Sequence, residues 1–122
     1  MYELNVERHF RAAHALRLYD GSREPLHEHA WKVVVDVAAD QLDQIELVMD
    51  FHELQGIIDR ALGPLEGRNL NNLDVFKTVN PSAERVAEHI YRAIAAELPA
   101  SVRLSRVTVT EAPGCRASFQ DT

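Results

Sequence analysis

The sequence predicts a two-layer α+β domain: an antiparallel four-stranded sheet with two helices on one face, in the order β-β-α-α-β-β. Three observations point there. Apolar and polar residues alternate over 2–14 and 28–39, the period of a half-buried strand. Apolar residues recur at helical spacing from Phe51 to Leu62 and again from Val86 to Leu98. A further alternation runs through 102–111. No linker, repeat or low-complexity tract interrupts the 122 residues, so residues 1–122 are expected to form one domain.

In the first strand Tyr2, Leu4, Val6, Phe10, Ala12 and His14 share a parity, with Glu3, Asn5 and Glu7 on the other. One face is therefore expected to pack and the other to meet water. His9 falls on the polar side and is not expected to join the other histidines. Residues 17–25, with Gly21 and Pro25, read as a polar connection. The second strand presents Trp31, Val33, Val35 and Val37 on one face. Asp50, followed three residues on by Glu53, has capping-box spacing for a helix carrying Phe51, Leu54, Ile57, Ile58, Ala61 and Leu62, and Gly63-Pro64 ends it. Pro81-Ser82 starts the second helix, whose buried stripe is Val86, Ala87, Ile90, Ile94 and Leu98, with His89 beside it. Val107, Val109 and Glu111 share a face of the third strand, and 116–119 are expected to make a short fourth.

The chemistry concentrates at Leu26-His27-Glu28-His29. On a strand, His27 and His29 project from the same face with α carbons roughly 6.5 to 7 Å apart. Trp31 and the valines continue that face, so the pair stands where an apolar wall meets the strand's open end. Antiparallel pairing of the first two strands brings His14 beside both. Three neutral imidazoles with an open fourth position make the catalytic zinc arrangement, though iron, nickel or copper would also accept such ligands. A small metal-binding barrel with His-x-His on a strand would want a Glu four to six residues after the second His, where this chain has Val33, Val34 and Val35.

Composition narrows the function classes. A formal charge of −6 and scattered basic residues argue against nucleic acid as a partner. No apolar run approaches a membrane span, and the charged, alternating start is unlike a signal peptide, so a cytoplasmic location is the expectation. Cys115 is the single cysteine, follows Pro113-Gly114 in an expected turn, and can form no internal disulfide. Arg11, Arg23, Lys32, Arg68 and Lys77 are the candidates for meeting an anionic substrate.

Phe10-x-Ala12-Ala13-His14, Leu26-His27-x-His29, Val48-Met49-Asp50-Phe51-x-x-Leu54, Leu70-Asn71, Asn80-Pro81-Ser82-x-Glu84 and Val107-Thr108-Val109-Thr110-Glu111 follow in order along the chain. In type and spacing these segments resemble the 6-pyruvoyl-tetrahydropterin synthase family, which includes 6-carboxytetrahydropterin synthases. The resemblance implies the tunnelling fold, in which sheets of several subunits join into a barrel and two rings stack as a homohexamer. It also implies Zn2+ on His14, His27 and His29, and a pterin substrate, 7,8-dihydroneopterin triphosphate. Glu111 would then anchor the pterin, accepting from its 2-amino group and ring N–H.

The chain departs from the family pattern at two places. The usual catalytic Cys, four residues before the first His of the pair, is Arg23, and the family's Leu-Asp-His-x-x-Leu-Asn reads Leu65-Glu66-Gly67-Arg68-Asn69-Leu70-Asn71. Glu24, three before His27, resembles a subgroup with Glu in place of that Cys, which releases 6-hydroxymethyl-7,8-dihydropterin for folate synthesis. On that basis Glu24 is expected to be the general base, with Glu66 standing in for the missing Asp. The alternatives are a pyruvoyl or carboxy product, in the biopterin or queuosine branch, and a non-catalytic pterin-binding relative.

Overall fold

The computed structural model describes residues 1–121. Strand β1 (Tyr2–His14) and strand β2 (His27–Ala39) pair antiparallel along their whole length, from Tyr2 opposite Ala39 to His14 opposite His27. Alternation in the sequence becomes alternation in burial: Val6, Phe10, Ala12, Trp31, Val33, Val35 and Val37 are buried on the face that carries the helices. Each large side chain buried there contributes about 1.5–3 kcal/mol.

Helix α1 (Phe51–Leu62) begins at Asp50, whose carboxylate accepts from the His52 N–H at 2.7 Å. Helix α2 (Ala83–Ala95) begins at Ser82, whose hydroxyl accepts from the Arg85 N–H at 3.2 Å. Both caps stand where the sequence predicts them, satisfying N–H groups that the first turn leaves unpaired. The expected stripe of α2 is buried through Ile94, with Tyr91 joining it and Leu98 only partly covered.

The sheet has five strands where four were expected. Between the helices, Arg68–Asn69 forms a two-residue strand, β3, parallel to β1 at Ala12 and Ala13. Gly67, at φ +71, turns the chain there, and its N–H donates to the Arg11 carbonyl at 2.7 Å. Two residues are too few to show any period, so alternation could not reveal them. Strand β4 (Arg103–Ala112) lies on the other side of β2, and β5 (Cys115–Phe119) hairpins onto it through Gly114 at φ +78. The spatial order is β3-β1-β2-β4-β5. Cys115 therefore opens a strand instead of sitting in the turn.

Candidate metal centre

The register of β1 with β2 makes the site. His14 faces His27, and Ala12 faces His29, so three imidazoles meet at one end of the sheet on its helix side. One ring nitrogen from each lies within 4.8 Å of the other two. Trp31, fully buried, backs the cluster with its ring 5.0 Å from that of His14 and 5.9 Å from that of His29. Its indole N–H donates to the Ala12 carbonyl at 3.2 Å, which ties the wall to the strand beside His14.

Backbone carbonyls orient two of the rings. His14 Nδ1 lies 2.7 Å from the Pro81 oxygen, and His27 Nδ1 lies 2.9 Å from the Pro25 oxygen. A carbonyl only accepts, so in each neutral ring the proton sits on Nδ1 and the Nε2 lone pair is left free. The Nε2 atoms of His14 and His29 are buried without a hydrogen-bond partner. Leaving such a group unsatisfied costs about 1–3 kcal/mol, a cost that a shared cation would remove. Burial holds His29 below the ordinary imidazole value, the other two histidines adding to this and Glu111 and Glu24 opposing it. It therefore stays neutral, as a ligand must be. The donor set fits a three-histidine metal ion with an open fourth position.

Two carboxylates flank the cluster. Glu111, toward the end of β4, has Oε1 2.9 Å from His14 Nε2, without the alignment of a hydrogen bond. It also lines a cleft of about 410 Å³ with Ala83, Glu84, Cys115 and Arg116. Glu24 has Oε1 3.9 Å from His27 Nε2, and the same oxygen accepts from the Leu16 N–H at 3.0 Å. Glu66 is placed differently: its Oε2 accepts from the Arg11 N–H at 2.7 Å on the exposed edge of β1. Among the described residues no ion pair joins it to a histidine. Of the candidate cations, Arg11 is paired with Glu28, Lys32 with Glu7 and Lys77 with Asp74. Arg23 and Arg68 have no such pair among the described residues.

A profile of the family described as 6-pyruvoyl tetrahydropterin synthase matches residues 3–122. The chain belongs to the 6-pyruvoyl tetrahydropterin synthase family. Membership makes it an enzyme of the lyase type, and the α+β architecture that its motifs imply is the one observed. A relative named dihydroneopterin monophosphate aldolase, from Pyrococcus furiosus, is 33% identical over 102 residues, 84% of this chain and 82% of the relative. The 6-pyruvoyl tetrahydropterin synthase of Caenorhabditis elegans superposes with a TM-score of 0.84 at 23% identity, covering 100% of this chain and 98% of that one. That of Plasmodium vivax gives 0.78 at 20% identity, covering 98% and 97%.

Within this synthase-family chain, strand parity brought the three histidines together, whereas the family resemblance singled out Glu24 and Glu111, which flank them here. Both missed the Pro81 and Pro25 carbonyls that orient the rings. Backbone oxygens carry no residue-type signature, and only the position of the 70–81 stretch against β1 reveals the first of them.

Proposed function

We propose that this chain is a zinc-dependent lyase of the pterin side chain, acting on a phosphorylated 7,8-dihydroneopterin and releasing 6-hydroxymethyl-7,8-dihydropterin. The observation that carries the reading is the convergence of His14, His27 and His29, with buried, unpartnered Nε2 atoms on His14 and His29, between Glu24 and Glu111. Zinc bound there would lower the pKa of side-chain hydroxyls on the substrate. Glu24 takes the proton from the hydroxyl on the second side-chain carbon as the bond between the first and second carbons breaks. A proton returned to the first carbon completes the hydroxymethyl group, and the remaining carbons leave as an aldehyde phosphate. No oxidant or reductant is needed.

Glu111 turns from His14 to the cleft beside it and accepts from the pterin amino and ring N–H groups as a two-oxygen acceptor. The cleft, about 410 Å³, is of the size ligand pockets have. The aldolase name of the Pyrococcus furiosus relative supports a carbon–carbon cleavage and raises the monophosphate as substrate beside the triphosphate. A solved structure of the Plasmodium vivax enzyme carries alanine at a glutamate that is its catalytic residue, which agrees with a carboxylate base. The unpaired sheet edges at β3 and β5 suit assembly into the family's hexameric barrel.

The test is product analysis by mass spectrometry after incubating zinc-loaded protein with 7,8-dihydroneopterin triphosphate and, separately, the monophosphate. A 6-hydroxymethyl product is expected. A pyruvoyl or carboxy product would overturn the assignment to the Glu-type chemistry, and untouched substrate with bound pterin would mean a binding protein.

A further inference from the structure

Residues 15–17 leave β1 at His14 without entering another strand or helix, yet all six of their backbone polar groups are paired. The side-chain amide of Asn71 takes both groups of Ala15, its oxygen accepting from the N–H at 2.8 Å and its nitrogen donating to the carbonyl at 2.7 Å. Asn80 does the same to Arg17, at 2.8 and 3.0 Å. Between them Glu24 takes Leu16: its carboxylate accepts from the N–H at 3.0 Å and its own N–H donates to the carbonyl at 3.1 Å. Each amide presents one acceptor and one donor side by side, as a neighbouring strand would. Only one orientation of each amide satisfies both bonds, so the assignment is fixed by the network.

The consequence falls on the metal centre. His14 is the residue before this segment, and Pro81, whose carbonyl holds His14 Nδ1, is the residue after Asn80. Glu24 hangs from the middle of the segment with one oxygen committed to Leu16, beside His27. We propose that Asn71 and Asn80 are positioning residues, a pair of amide clamps that hold the metal ligand His14 and the base Glu24 in one fixed relation. The proposal rests on the reading above, in which the histidines bind metal and Glu24 moves the proton. It gives the 70–81 stretch a mechanical task beside the metal centre.

The test uses the full chain and two readouts. In the first, Co2+ alone is titrated into protein and followed by visible absorption. Asn80→Ala is expected to weaken Co2+ binding about tenfold, the low end for loss of a group supporting a metal ligand. Asn80→Asp keeps the bond to the Arg17 N–H and should recover part of that loss. Asn80 is the variant of choice because it is half-buried, whereas Asn71→Ala would strand the Ala15 groups in the interior and risks the fold.

In the second, kcat on a 7,8-dihydroneopterin phosphate is measured at saturating metal for Asn80→Ala, Glu24→Gln and the double variant. Residues that act through one another are not additive. Asn80→Ala should cut kcat about tenfold with Glu24 present and less than about twofold with Gln at that position. An equal fall in both backgrounds, or unchanged Co2+ affinity and kcat in Asn80→Ala, overturns the clamp. If Glu24→Gln abolishes turnover while Asn80→Ala is silent, the clamp alone fails. If Glu24→Gln leaves turnover intact, the reading of Glu24 as base fails and takes the clamp with it.

Discussion

Two stretches of this chain each offer a carboxylate to the end of β1, and they use it in opposite ways. Glu24 approaches from the 17–25 connection with Oε1 3.9 Å from a histidine of the cluster; that oxygen also accepts from the Leu16 N–H, and the other has no hydrogen-bond partner among the described residues. Glu66 approaches from the turn after α1 and accepts from the Arg11 N–H, on the edge of β1 that carries β3. The strand edge decides between them: the Arg11 N–H lies in the plane of the sheet, three residues back along β1 from His14, so a carboxylate bound there is spent on the backbone and not on a histidine. A carboxylate at the right sequence distance is not enough. It must arrive on the histidine side.

The largest effect that sharpens this contrast is on turnover. Glu24→Gln keeps the acceptor for Leu16 and removes only the capacity to take a proton, so kcat should fall about 10²–10⁴-fold, the usual contribution of a general base. Zinc affinity should change little, because the ligands are untouched; equilibrium dialysis checks this. Next in size is the effect of the metal on stability. At a free zinc concentration one hundred times Kd, binding should add about 2.7 kcal/mol to unfolding free energy. That shift in Tm should persist in Glu24→Gln and Glu66→Ala and vanish in His29→Ala. If Glu66→Ala lost the zinc-dependent shift as well, the two stretches would not differ as described.

Most of the fold was legible because its main elements are long enough to show a period. Alternation over thirteen residues, interrupted only at Arg8 and Ala13, gave β1 its ends at Tyr2 and His14, and the parity of His14, His27 and His29 followed from the same rule. The antiparallel register then placed the three rings together. Beyond this the period carries no information. β3 spans two residues, and whether the chain after α1 runs along the outer or inner side of β1 depends on Gly67, which spacing alone could not orient. Glu66 was assigned to the relay by its place in a motif. The placement of its carboxylate on Arg11 does not support that assignment.

Gly67 gives a prediction of intermediate size. The family's relay histidine would stand here, so Gly67→His looks like a repair. A Cβ there would meet nothing within 4 Å, but φ is +71. A residue with a Cβ held in that region costs about 1–2 kcal/mol, seen as a lower midpoint in urea. Turnover should not rise, because the residue lies beside Glu66 on the outer edge. A gain in kcat would break the comparison by showing that this edge communicates with the substrate.

The smallest expected effect belongs to Glu66 itself. Its bond to the Arg11 N–H is short, at 2.7 Å, but exposed, so water replaces it when it is lost. Glu66→Ala should therefore lower stability by only about 0.5 kcal/mol, the bottom of the range for a hydrogen bond, with kcat within threefold of the parent. Glu66→Gln separates the two roles a carboxylate can have. Gln still accepts from Arg11, so stability should return to the parental value, and a residue that only accepts would show parental kcat too. A residue that carries a proton would be as inactive with Gln as with Ala. Loss of turnover in Glu66→Gln, with zinc and fold retained, would move Glu66 to the same side of the comparison as Glu24.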